Sequence, residues 1–233
     1  MSVRLTSSLI LAGVILLLMG SPARAGSVAV MDGVGNAYSI PVTSLKEEKF
    51  KTTLRQKYDF SCGSAALAAL LTFHYQSPVT EQDVFQTMYD HGDQEKIHRV
   101  GFSLLDMKRY LETMGYSADG IRGSLDTLVE WNVPAIVLIN DRGYRHFVLV
   151  KGIHPDRVLI GDPATGIRTV PRNEFEPMWN GILFLIRDHT EVANRYFNQE
   201  QEWRLTASAP VEAVVSQGAL ATSTLLLPPR SDF

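Results

Sequence analysis

The single cysteine of the 233-residue chain, Cys62, stands in Gln56-Lys57-Tyr58-Asp59-Phe60-Ser61-Cys62-Gly63-Ser64-Ala65, where an extended segment turns into an apolar run. Ser61 reads as an N-cap and Ala65 to Leu71 favour helix, so Cys62 is expected in the first helical turn. Unpaired backbone N–H groups and the positive end of the helix dipole stabilise a thiolate there. With a cationic His nearby, its pKa is expected at roughly 3.5–7.5 instead of ~8.5. Two readings are open at this position: an activated nucleophile, or a small buried hydrophobe at the head of a core helix.

A cysteine nucleophile needs a base and a group that orients the base, and a hairpin downstream carries His146 and Asp162. Tyr144 to Ile153 and Arg157 to Gly161 read as strands joined by the turn His154-Pro155-Asp156. Paired positions across it should sum to about 310, placing Asp162 opposite Val148, on the pleat face of His146 and one diagonal step away. A carboxylate there can fix the imidazole tautomer and support the imidazolium. Each residue also has a plainer reading: a core-strand histidine bonded to backbone, and an Asp-Pro turn at a strand end.

The elements that must position these groups follow from patterning. After the Cys62 helix, Thr80-Glu81-Gln82-Asp83 opens a helix through Met88. Ser103-Leu104-Leu105-Asp106 opens another that Gly115 closes, with Leu104, Leu105, Met107, Leu111 and Met114 as its core stripe. Ser124 caps a short helix to about Trp131, and Pro134 leads into the buried strand Ala135 to Ile139. Thr169-Val170 and Ile182 to Ile186 continue the strands. Helices first and an antiparallel sheet second make an α+β fold with the Cys62 helix on the sheet. His74, His91, His98, His154 and His189 are expected at surface or turn positions, Trp131 and Trp179 in the core or a cleft, and Lys46-Glu47-Glu48-Lys49 on a solvated surface. Glu191 to Leu205 reads as a terminal helix.

Arg4, the apolar run Leu9 to Met19 and Ala23-Arg24-Ala25 read as a signal peptide cleaved after Ala25; the run is shorter than the ~20 residues of a spanning helix. The expectation is an exported, periplasmic protein with no stable membrane anchor. Losing Arg4 and Arg24 but no acid moves the formal charge from −3 to −5, which gives nucleic acid and anionic membrane no electrostatic attraction. No Cys/His cluster at zinc spacing, HExxH or glycine-rich phosphate loop occurs, so no cofactor or metal is expected. The organisation expected is a signal peptide at 1–25, an extended segment at 26–53, one main domain at 54–187, a helix at 188–205 and a loosely ordered tail at 206–233.

Gln56, five intervening residues, Cys62-Gly63-x-Ala65, then His146-Phe147-Val148-Leu149-Val150 and Asp162-Pro163 together resemble the papain-like bacteriocin-processing, or double-glycine leader, peptidases. The likeness runs over about 54–187. It implies a papain-like fold with helices packed on an antiparallel sheet, Cys62 as nucleophile, His146 as base, Asp162 as orienting group and Gln56 as oxyanion-hole donor. The chain departs from the family in carrying Ser61 where many members have Asp, and in lacking the membrane and ATPase domains of the transporter-linked members. A stand-alone exported relative is similar to the peptidase-like component of functional-amyloid (Fap) secretion operons. That implies a polypeptide substrate: an amyloid precursor or a secretion-system component. Two alternatives share the scaffold: a non-catalytic peptidase-like chaperone that binds a secretion substrate, and a thiol-dependent amidase or transferase.

Overall fold

The computed structural model describes residues 27–31, 37–41 and 45–207. The expected signal segment and almost all of the 206–233 tail lie outside them. The first two stretches are strands β1 (Ser27–Met31) and β2 (Ala37–Pro41), an antiparallel pair in which Ala29 faces Ser39. This hairpin belongs to one compact unit and the chain from Leu45 onward to another.

The second unit begins with the short α1 (Leu45–Glu48), which takes in part of the charged run expected as plain surface. It continues through α2 (Cys62–His74), α3 (Glu81–His91), α4 (Gln94–Val100) and α5 (Leu104–Thr113). Then come β3 (Ala118–Arg122), α6 (Leu125–Trp131), β4 (Ala135–Asp141), β5 (Tyr144–Ile153), β6 (Arg157–Asp162) and β7 (Gly166–Pro171). The series ends with α7 (Arg172–Met178), β8 (Ile182–Ile186), α8 (Thr190–Ala193) and α9 (Glu200–Ala207).

One antiparallel sheet, in the order β3-β8-β4-β5-β6-β7, carries the fold. Strands β4 and β5 are buried on both faces, so their apolar residues divide with the period of two that a pleat imposes. Ile136, Phe147 and Leu149 join the core under α2, while Val137, Ile139, Val148 and Val150 join the core with Leu125 and Leu128 of α6 and Phe175 of α7. Helix α2 is apolar nearly all round, Ala- and Leu-rich, and buried along almost its whole length, as a helix between a sheet and other helices must be. The expected α+β arrangement is therefore present, with two intrusions: β3 lies among the helices, and α7 lies among the strands.

Several local expectations change. In α5, Met107, Tyr110 and Leu111 form the buried stripe, whereas Leu105 is 53% exposed and Met114 also faces solvent. One residue step on a helix turns by about 100°, which carries Leu105 off the face that Leu104 and Met107 share. Trp131 lies on the surface rather than in the core, while half-buried Trp179 packs against the α6-side core. His74 is fully buried and not a surface residue. The expected terminal helix is two short helices, interrupted by Asn198 at a φ of 59°.

Candidate active site

Cys62 is the first residue of α2 and 8% exposed. The preceding turn is tight: Ser61 N–H donates to the Tyr58 carbonyl, and Ser61 Oγ both accepts from Tyr58 N–H and donates to that carbonyl, each at 3.1 Å. Ser61 occupies the N-cap position with φ −97° and ψ 13° but caps nothing, because its hydroxyl is spent on Tyr58. The thiol receives the backbone N–H of Phe147 at 3.5 Å. Burial pushes the Cys62 pKa up, and Asp162 adds to that. The N–H groups of Phe147, Gly63 and Cys62 itself oppose the rise without cancelling it. The direction is opposite to the one expected for a cysteine at a helix start: desolvation outweighs the N–H groups there.

His146 and Asp162 meet as the hairpin register requires. Leu149 pairs with Gly161 and Val150 with Ile160, the expected alignment. A bulge at Lys151 shifts the pairing only nearer the turn, to Gly152 with Leu159. His146 Nε2 lies 3.1 Å from Asp162 Oδ2, both side chains being buried. Nδ1 of His146 is buried and has no partner. When Nε2–H donates to the Asp162 carboxylate, Nδ1 carries the lone pair. Tyr144 stacks on the ring at 4.8 Å between centroids, 29° from parallel.

Asp162 accepts from Ala164 and Thr165 N–H on Oδ1, at 2.9 and 3.3 Å, and from Arg168 Nε and Nη2 on Oδ2, at 3.3 and 3.2 Å. Burial raises the carboxyl, but the hydrogen bond and charge of His146, the Ala164 N–H and the Arg168 charge together outweigh it and hold the pKa at about 2. Arg168 escaped the sequence reading although its signal was present. Gly166, at a φ of 88°, makes Asp162 to Gly166 a hairpin turn, and the register that pairs them sets Arg168 opposite Ile160, one diagonal step from Asp162.

Gln56 is tied to the far end of this hairpin by its N–H, which donates to the Pro163 carbonyl at 3.0 Å. Its Nε2 donates to the Tyr58 carbonyl at 3.0 Å, and Oε1 is buried without a partner. Cys62 and His146 line one cleft of about 830 Å³, and Gln56 is not among its lining residues. Phe60, Phe102, Leu104, Leu138 and Phe147 make the apolar wall; Asp59, Arg99, Arg145 and Asn180 make a polar rim. Helix α4, which no sequence pattern had indicated, adds His98, Arg99 and Val100 to the cleft lining. Asp93 caps α4 through Lys96 N–H, and Gly101, at a φ of 80°, turns the chain back beside Phe60. Among the described residues no group of three or more His, Cys, Asp or Glu is arranged to hold a metal.

Residues 50–191 match the model of the Peptidase C39 family. The chain is 42% identical over 173 residues to the "Probable functional amyloid protease FapD" of Pseudomonas fluorescens, covering 74% of this chain and 76% of that one. It is 41% identical over 179 residues to the protein of the same name from Pseudomonas aeruginosa, covering 77% and 79%. The peptidase domain of Streptococcus ComA, a bi-functional ABC transporter, aligns with 58% of this chain and 96% of its own at 21% identity and a TM-score of 0.49. The chain belongs to the Peptidase C39 family and is a cysteine peptidase with helices packed on a six-stranded antiparallel sheet.

Proposed function

We propose that the chain is an exported endopeptidase that cleaves a secreted polypeptide, with Cys62 as nucleophile, His146 as base, Asp162 as the group that orients the base and Gln56 as an oxyanion donor. One observation carries this reading: His146 gives Nε2 to Asp162 and keeps a bare Nδ1, while lining the cleft that holds Cys62. Nδ1 takes the thiol proton as the sulfur attacks the carbonyl carbon, and Asp162 stabilises the imidazolium that results. The imidazolium then protonates the leaving amine. Nδ1 next removes a proton from the water that hydrolyses the thioester.

The oxyanion requires donors fixed before the reaction. The Cys62 N–H at the start of α2 supplies one. A primary amide has two N–H bonds; the one that Gln56 gives to Tyr58 O holds the group still, and the second is the donor proposed for the oxyanion. The sequence of residues 1–25 supports export to the periplasm, and none of the helices among the described residues is long and apolar enough to cross a membrane. The names of the curated relatives support a substrate from functional-amyloid secretion, an amyloid precursor or a component of its export machinery.

The burial of Cys62, which pushes its pKa up, is the feature that a binding module without catalysis would share. Secreted proteins from cells producing wild type, Cys62→Ala or His146→Ala separate the two. The proposal expects one secreted polypeptide to accumulate at its uncleaved mass in both variants. Identical processing in all three strains, with secretion lost only on deleting the gene, would establish the binding module.

A further inference from the structure

We infer that Arg168 is a positioning residue of the His146–Asp162 pair: anchored on Asp141, its guanidinium fixes the Asp162 carboxylate in the orientation that holds the base. The inference rests on the reading of His146 as the base. Arg168 extends from β7 and is half-buried; its Nε and Nη2 lie 3.3 and 3.2 Å from Asp162 Oδ2, and Nη2 also lies 3.4 Å from Asp141 Oδ2 at the end of β4. Asp162 Oδ1 is already occupied by the N–H groups of Ala164 and Thr165. The carboxylate therefore cannot rotate without breaking bonds at both oxygens, and Oδ2 stays aimed at Nε2.

His146 and Arg168 share one carboxylate oxygen, Oδ2, so the guanidinium holds in place the same atom that orients the base.

The other groups facing His146 are Tyr144 on its own strand and Asp141 and Arg142 in the β4–β5 turn, the turn pair being of opposite sign. Within the cleft are the Cys62 thiol of α2, Asp59 of the preceding loop, His98 and Arg99 of α4, and Arg145 of β5. None of these bonds to Asp162, so Arg168 is the cation that divides that carboxylate with the base.

The test follows cleavage of a quenched fluorescent peptide carrying Gly-Gly ahead of the scissile bond, at temperatures where every variant is folded. Arg168→Gln, and Arg168→Lys, which keeps the charge and loses the fork, should each lose about tenfold in kcat with KM nearly unchanged. A merely structural salt bridge predicts a lower melting temperature with kcat unmoved, and that result, or a raised KM at unchanged kcat, overturns the assignment. If Arg168→Gln does not fold, Arg168→Lys decides: kcat equal to wild type rejects the role. Should Cys62→Ala or His146→Ala cleave the peptide as wild type does, the base reading fails. Should both be inactive while the Arg168 variants are indistinguishable from wild type, only the assignment of Arg168 fails.

Discussion

The backbone N–H of Phe147 lies 3.5 Å from the Cys62 sulfur, so the residue after the base supplies a donor to the nucleophile. Pairing of β5 with β6 extends only to Leu149, which leaves Phe147 N–H without a strand partner on that edge. The donor favours the thiolate, yet burial dominates and raises the thiol pKa. Alkylation of the free protein by iodoacetamide should therefore have a midpoint above the ordinary thiol value of about 8.5. A midpoint in the neutral range that disappears in His146→Ala would instead establish a standing thiolate–imidazolium pair.

Asp162 links the site to stability at low pH. Burial raises its carboxyl, but His146, the Ala164 N–H and Arg168 bring it down to about 2, below its value of about 3.9 in an unfolded chain. A depressed carboxyl stabilises the fold above the unfolded pKa, and that contribution fades as pH falls through the folded one. Wild type should therefore be more stable than Asp162→Asn by a constant amount above about pH 5, and the two should converge between about pH 4 and 2. Urea denaturation across this range measures the difference; parallel curves down to pH 2 would show that Asp162 is not held ionised.

What the sequence revealed, and what it concealed, follows the range of the forces involved. The β5–β6 register was legible because a short turn and a period of two define it, and the bulge at Lys151 falls on the turn side of the Leu149–Gly161 and Val150–Ile160 pairs, beyond which His146 and Asp162 lie. The Ser61 cap was misread because its hydroxyl has a competing partner, Tyr58, three residues earlier. The thiol pKa was misread because burial depends on what packs over the helix end, and no local pattern shows that. Helix α4 is short and polar, with Ile97 its buried residue, and so leaves almost no periodic signal.

Gly101 is where α4 hands the chain to the cleft wall. Its φ of 80° is costly for any side chain, and a Cβ there would lie 3.3 Å from the carbonyl oxygen of Phe60, two residues before Cys62. Gly101→Ala should cost about 1 kcal/mol by calorimetry or urea denaturation, and displacement of the Phe60–Phe102 wall should raise KM for a peptide substrate more than it lowers kcat. A change in kcat alone would place the strain on the catalytic groups and not on the wall.

Lys151 and Glu202 meet at 2.5 Å inside the protein, far along β5 from His146, and join α9 to the sheet. Lys151 is the bulge residue of β5 and is fully buried; its Nζ also reaches the carbonyl and hydroxyl oxygens of Thr52, at 2.5 and 2.8 Å. Burial pushes its pKa down and Glu202 pulls it back up. Nearby His74 is driven well below its ordinary value, first by burial and then by the Lys151 charge, so it stays neutral beside this pair. Helix α9 lies beyond the family match, which ends at residue 191. Glu202→Gln leaves a buried cation without its counter-charge and should cost about 3 kcal/mol, or roughly 6–12 °C in melting temperature. Lys151→Met combined with Glu202→Leu removes both charges at similar volume and should recover most of that loss. If the double variant is as unstable as Glu202→Gln, what α9 contributes is its packing, with Trp203 stacked on His154 at 3.9 Å, and the ion pair adds nothing to it.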